Sequence, residues 1–240
     1  MFDPSKFTTQ KAKPLPVCLM LDVSSSMSGE KIGNLNKAVK EMLNTFAEEE
    51  KMETEIMVSV ITFGGKVNLH LPPTKASQIH LEEFHADGMT PMGEALNMAK
   101  ALIDDKEKTP SRAYRPTIVL VSDGQPNDSW EKPLEDFISH GRSCKCDRMA
   151  MAIGHDADKQ VLNRFIEGTP HKLFYADNAA QLHEFFQHVT MSITMRTHST
   201  NPNEIPAACE TNLDRATIDS KSNTSNSVKI DKLSESEGYW

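Results

Sequence analysis

The sequence predicts an α/β fold: a doubly wound, mostly parallel central sheet with one antiparallel edge strand and helices on both faces. Three observations carry this. Apolar runs such as Val17-Cys18-Leu19-Met20-Leu21 and Ile118-Val119-Leu120-Val121 are continuous, as in strands covered on both faces. Between such runs lie segments whose apolar residues recur at helical spacing. One pair of runs is separated instead by Gly64-Gly65, a hairpin signal and hence an antiparallel step.

Taken in order, 17–21 is the first strand. A helix over 30–50 follows, with Ile32, Leu35, Val39, Met42, Leu43 and Phe46 on one face. The run 55–63 is a strand in which Ile56, Val58 and Val60 alternate and Phe63 follows past Ile61. Val67, Leu69 and Leu71 alternate on the next strand, which Pro72-Pro73 closes; proline places this pair at a sheet edge. Residues 74–85 form a polar connection. The helix over 92–105 buries Met92, Ala95, Leu96, Ala99, Leu102 and Ile103. A central strand spans 115–122, then a helix 130–141 with Leu134, Phe137 and Ile138 inward. A strand over 147–154, a short helix over 158–166 and a short strand over 173–175 follow. The last helix, 179–195, carries Leu182, Phe185, Phe186, Val189 and Ile193.

The chain has 240 residues, 25% charged and 38% hydrophobic, with a net charge of −8 and a pI near 5.6. Such an acidic balance argues against a general nucleic-acid binder, which needs a basic face for phosphate. No run of roughly 18 apolar residues predicts a membrane span. Residues 1–13 read as a polar lead-in, 14–196 as the folded domain, and 197–240 as a disordered tail rich in Ser, Thr, Asn and Asp. The four cysteines fit a reduced, cytoplasmic protein, with Cys18 a small core residue and Cys209 in the tail. A zinc site from His140, Cys144 and Cys146 lacks a second Cys or His pair at finger-like spacing.

The chemistry gathers at three stretches. Asp22-Val23-Ser24-Ser25-Ser26 is D-x-S-x-S at the end of an apolar strand. Gly88-Met89-Thr90-Pro91 opens a helix, and Ser122-Asp123-Gly124 ends another strand. Asp22, Ser24, Ser26, Thr90 and Asp123 offer hard oxygen donors, which suit Mg²⁺ or Mn²⁺ better than a soft metal. In open α/β sheets, ligands sit beyond the carboxyl ends of the strands, where both aspartates fall. Each piece also has a local structural role. Thr90 before Pro91 reads as an N-cap, Ser28 as the cap of the first helix, and Asp123-Gly124 as a turn. Asp128, three residues before Glu131, reads as a capping box for its own helix.

Three motifs in this order resemble the metal-ion-dependent adhesion site of von Willebrand factor A domains, over about residues 14–195. Leu21-Asp22-x-Ser24-x-Ser26-Met27 and Ser122-Asp123-Gly124-x-Pro126-x-Asp128 most resemble the TerY-type proteins of bacterial tellurium resistance. The resemblance implies a binding module, not an enzyme, working beside a kinase or phosphatase in stress or phage defence. It implies Mg²⁺ or Mn²⁺ held by Asp22, Ser24, Ser26, Thr90 and Asp123, with an Asp or Glu of a protein partner completing the coordination. The family commonly has Gly-Gly-Thr where this chain has Gly88-Met89-Thr90, so the loop is expected to move less freely.

The alternative is a phosphatase resembling the haloacid-dehalogenase type, with Asp22 as nucleophile beside Mg²⁺. That chemistry needs a general acid two residues on. Ser24 stands there, and a hydroxyl does not serve as an acid near neutral pH.

Overall fold

A computed structural model of the protein describes residues 12–49 and 54–205. The elements are β1 (Lys13–Asp22), α1 (Glu30–Glu49), β2 (Thr54–Gly64), β3 (Lys66–Lys75), α2 (Met92–Asp104), β4 (Thr117–Ser122), α3 (Glu131–Ser139), β5 (Asp147–Ile153), α4 (Lys159–Phe165), β6 (Phe174–Ala176) and α5 (Ala179–His198). They form one six-stranded sheet in the order β3-β2-β1-β4-β5-β6. All neighbouring strands are parallel except β2 and β3. The predicted architecture is therefore the observed one, with the antiparallel strand at the edge.

The two faces bury two separate cores. Leu15, Val17, Leu19 and Leu21 of β1 point to the side covered by α1 and α5, where Phe46 and Phe185 sit. Cys18 and Met20 point to the side covered by α2, α3 and α4, where Phe137 and Phe165 sit. This two-sided burial explains the broken alternation of β2: Ile56, Val58 and Val60 fill one core, Ile61 and Phe63 the other.

Differences from the sequence reading cluster at element ends. Pro72 and Pro73 do not close β3, which runs on to Lys75. The register steps from Val58 opposite Thr74 to Val60 opposite Leu71, so one extra residue of β3 is accommodated in a bulge beside the prolines. An edge strand tolerates the missing N–H groups. β1 begins at Lys13, four residues before the predicted start, because Pro14 and Pro16 pair with β2 alone; pairing with β4 starts only at Val17. No described helix is long and apolar enough to cross a membrane.

At the other end of the chain the fold continues past residue 196, into the stretch expected to be tail. α5 reaches His198. The fully buried Arg196 donates from Nε to the carbonyl of Pro202 at 2.7 Å, and Asn203 Oδ1 accepts from the backbone N–H of Arg115 at 2.8 Å. Glu50, most of the N-terminal lead-in, and the remainder of the expected tail with Cys209, Tyr239 and Trp240 lie outside the described residues.

Candidate metal centre

The connection order creates the crevice. From β1 the chain crosses to β2 on one side, and after the β2–β3 hairpin and α2 it enters β4 on the other. Pairing of β1 with β4 runs to Leu21 opposite Val121. Asp22, the last residue of β1, and Asp123, just after β4, therefore meet at the point where the strand order reverses. Both are buried.

After Asp22 the chain makes a short 3-10 turn, Ser25–Met27, anchored by the fully buried Met27. Ser24 and Ser26 project from it with their hydroxyls 2.9 Å apart. Ser26 Oγ donates to Asp123 Oδ1 at 2.6 Å, and the Ser24 backbone N–H donates to Asp22 Oδ1 at 2.9 Å. Ser122 Oγ donates to Asp22 Oδ2 at 2.6 Å. Burial pushes the Asp22 carboxyl above the usual carboxylate range, and the charge of Asp123 adds to this. The hydrogen bonds from Ser122 and Ser24 act the other way.

Thr90 is buried and arrives from the opposite side. A Cβ built on Gly124 would lie 3.4 Å from Thr90 Oγ1 and 3.8 Å from Ser26 Oγ, so these two hydroxyls converge over a glycine. All five residues expected at the site are thus brought to one edge of the sheet. The Thr90 segment is fixed by backbone contacts. The Ser25 N–H donates to the Gly88 carbonyl at 2.9 Å, the Gly65 N–H to the Met89 carbonyl at 2.7 Å, and the Asn127 N–H to the Thr90 carbonyl at 3.1 Å. Met89 points outward and is 64% exposed. It is accommodated because Gly88, not Met89, makes the close approach to the hairpin.

Three cap assignments change. α2 begins at Met92, and its first N–H groups are satisfied by Asp128 rather than by Thr90: Gly93 N–H donates to Oδ1 and Glu94 N–H to Oδ2, each at 2.9 Å. Asp128 therefore does not cap its own helix α3, which starts after Trp130. Ser28 does not cap α1, which starts after Gly29 at a φ of 80°. The carboxylate of Asp128 is also a better match than a threonine hydroxyl for a helix N-terminus.

Sequence reasoning also missed Lys31 and Ser122. Lys31 Nζ lies 2.5 Å from Asp123 Oδ2. Its signal was its place in the first turn of α1, from which a long side chain leans back toward the helix start. Among the described residues, no cluster of three or more His, Cys, Asp or Glu side chains could hold a metal, so His140, Cys144 and Cys146 form no zinc site. Burial pushes the Cys146 thiol up to about 12.

The family model of the von Willebrand factor type A domain matches residues 17–125. The chain is 25% identical over 191 residues to the human inter-alpha-trypsin inhibitor heavy chain H6, a match that covers 74% of this chain and 14% of that protein. Its fold is shared with the ArnB paralog VWA2 of Sulfolobus acidocaldarius, at a TM-score of 0.58 and 16% identity, covering 76% of this chain and 46% of that one. It is shared too with proximal thread matrix protein 1 of the mussel byssus, solved with a zinc-occupied adhesion-site motif. There the TM-score is 0.56 and the identity 13%, covering 75% of this chain and 48% of that one. The chain thus spans a small part of the heavy chain and under half of either structure.

The residues present fit a hard divalent cation. Two buried carboxylates and three hydroxyls converge, with the charge of Asp123 raising the Asp22 carboxyl and one ammonium already at Asp123. These are oxygen donors of the kind Mg²⁺ and Mn²⁺ take.

Proposed function

We propose that the protein is a non-enzymatic, metal-dependent protein-interaction module. Asp22, Ser24, Ser26, Thr90 and Asp123 hold Mg²⁺ or Mn²⁺, and a protein partner presents an Asp or Glu to the same site. When bound, the cation supplies an electrophilic charge that a carboxylate can join. The chain's own residues do the rest. Asp22 and Asp123 supply the negative charge, the Ser24 and Ser26 hydroxyls are set by the turn anchored on Met27, and the hairpin holds Thr90 in place.

The observation that carries this reading is the convergence of Thr90, Ser26 and Asp123 around Gly124. The resemblance of the motifs to TerY-type proteins supports a cytoplasmic role in bacterial stress response or tellurium resistance, beside a kinase or phosphatase. The phosphatase reading has less support. Ser24 stands where that chemistry needs a general acid, and its hydroxyl lies against the Ser26 hydroxyl at 2.9 Å, with no acidic group in its place.

Calorimetry with Mg²⁺, Mn²⁺ and Zn²⁺ on the wild type, Asp123→Ala and Thr90→Ala tests the site. Wild type should bind one ion, Asp123→Ala should lose binding, and Thr90→Ala should weaken it about tenfold or more while keeping the wild-type melting temperature, because Thr90 caps no helix with its side chain. Unchanged binding in Asp123→Ala would remove that residue from the site.

A further inference from the structure

Lys31 stands against the candidate centre with a role that no motif predicts. Its ammonium lies 2.5 Å from Asp123 Oδ2, while Ser26 Oγ occupies the other oxygen at 2.6 Å. The Asp123 side chain is fully buried and that of Lys31 is 40% exposed. The lysine stem therefore reaches in from solvent and places its charge at the mouth of the crevice. On its far side, a Cβ built on Gly154, just past β5, would lie 3.9 Å from Lys31 Nζ. The ammonium therefore lies by the ends of both β4 and β5.

We infer that Lys31 is a tethered competitor for the metal: its ammonium occupies Asp123 until a divalent cation displaces it, and it thereby sets the metal affinity of the site. This rests on the metal reading above. The charges make the competition unavoidable. With Lys31 in place, Asp22 and Asp123 sum with it to −1; a divalent ion added beside the ammonium would leave +1, with two cations a few ångströms apart in a buried site. Expelling the ammonium restores a balanced centre. Departure is easy for a compact, strongly hydrated charge on a flexible four-carbon stem already open to water. Once displaced, Lys31 stands beside the site as a cation available to an acidic partner.

The test uses the full chain with Mn²⁺ alone as the probe. Wild type, Lys31→Met and Lys31→Arg are compared by calorimetry and by thermal melting with and without the ion. Lys31→Met should bind Mn²⁺ at least about tenfold more tightly than wild type, since the competing charge is gone. Lys31→Arg should stay near wild type. Without metal, Lys31→Met should melt below wild type, because the buried Asp123 has lost its counter-charge; Mn²⁺ should raise its melting temperature by more than it raises that of wild type. Lys31→Gln replaces Lys31→Met if the latter does not fold. Equal or weaker affinity in Lys31→Met, with wild type still binding, overturns the competition and leaves the metal site standing. Tighter binding in Lys31→Arg as well overturns it too, by showing that charge is not what competes. Absence of Mn²⁺ binding in all three overturns both this inference and the metal reading.

Discussion

Asp128 holds the start of α2, and through it the segment that carries Thr90. Its two oxygens accept from consecutive N–H groups of that helix, a doubly used charged cap placed opposite the positive end of the helix dipole. Asp128→Ala should lower stability by about 1–2 kcal/mol, the range for losing an N-cap. Hydrogen exchange locates the effect: the amides of Gly93 and Glu94 should exchange faster, and those at the start of α3 should not change. Acceleration at α3 instead would restore the local capping box. The five candidate site residues were legible in the sequence because their types and strand-end positions carry the chemistry directly. Lys31, Ser122 and the true role of Asp128 were not. Each acts across the fold: Lys31 reaches from a helix to a strand end, Ser122 to the neighbouring strand, and Asp128 to a helix thirty-five residues earlier in the chain. A local pattern such as Asp128 with Glu131 cannot say which helix end stands nearer in space.

At the level of elements, the Thr90 loop and the β2–β3 hairpin are locked backbone to backbone. Gly88 has a φ of 69°, and a Cβ there would stand 2.3 Å from Gly65 Cα and 2.5 Å from Gly65 N. No flexible side chain can yield at that contact, so the loop or the hairpin must move. Gly29, at a φ of 80°, has nothing within 4 Å of the same position and isolates the cost of the left-handed backbone. Gly29→Ala should cost about 1–2 kcal/mol, the strain of an L-residue in that region. Gly88→Ala should cost clearly more in chemical denaturation, and its metal affinity should fall with the shift of Thr90. Equal costs would mean that the hairpin contact does not constrain the loop. Helices were read well because six or more apolar residues at 3.6 spacing leave little ambiguity, as in α1 and α2. Strand ends were read poorly because pairing partners, not local residues, decide them: β1 is extended by β2, and β3 carries its prolines within a bulge.

At the scale of the whole molecule, the alternation of strands and helices was enough to place the candidate site, since it fixes where strand order reverses. What closes the opposite end of the domain was not visible. Arg196 is buried on α5, and its guanidinium, held down to about 10 by burial, spreads over three acceptors: the Pro202 carbonyl, Thr117 Oγ1 at the start of β4 at 2.6 Å, and the Arg115 carbonyl at 2.5 Å. A buried guanidinium is retained only when its donors are satisfied, so each acceptor matters. In the sequence Arg196 looks like the polar end of a helix, and Pro202 and Asn203 look like the start of a loose tail, because Arg115 and Thr117, which Arg196 and Asn203 meet, lie about eighty positions earlier. The boundary that matters for folding is therefore beyond Asn203, not at 196. Two truncated chains decide it, one ending at Ile205 and one at His198. The shorter chain strips the Pro202 acceptor from the buried Arg196, a loss of about 1–3 kcal/mol for an unsatisfied buried group, while the exposed Arg115 N–H that loses Asn203 can turn to water. It should melt several degrees below the chain ending at Ile205, at roughly 2–4 °C for each kcal/mol in a domain of this size. Replacing Arg196 by Met in both should shrink the gap, because the buried charge that needs Pro202 is then gone. A gap of the same size with Met at 196 would show that residues 199–205 stabilise the fold by packing rather than by satisfying the arginine.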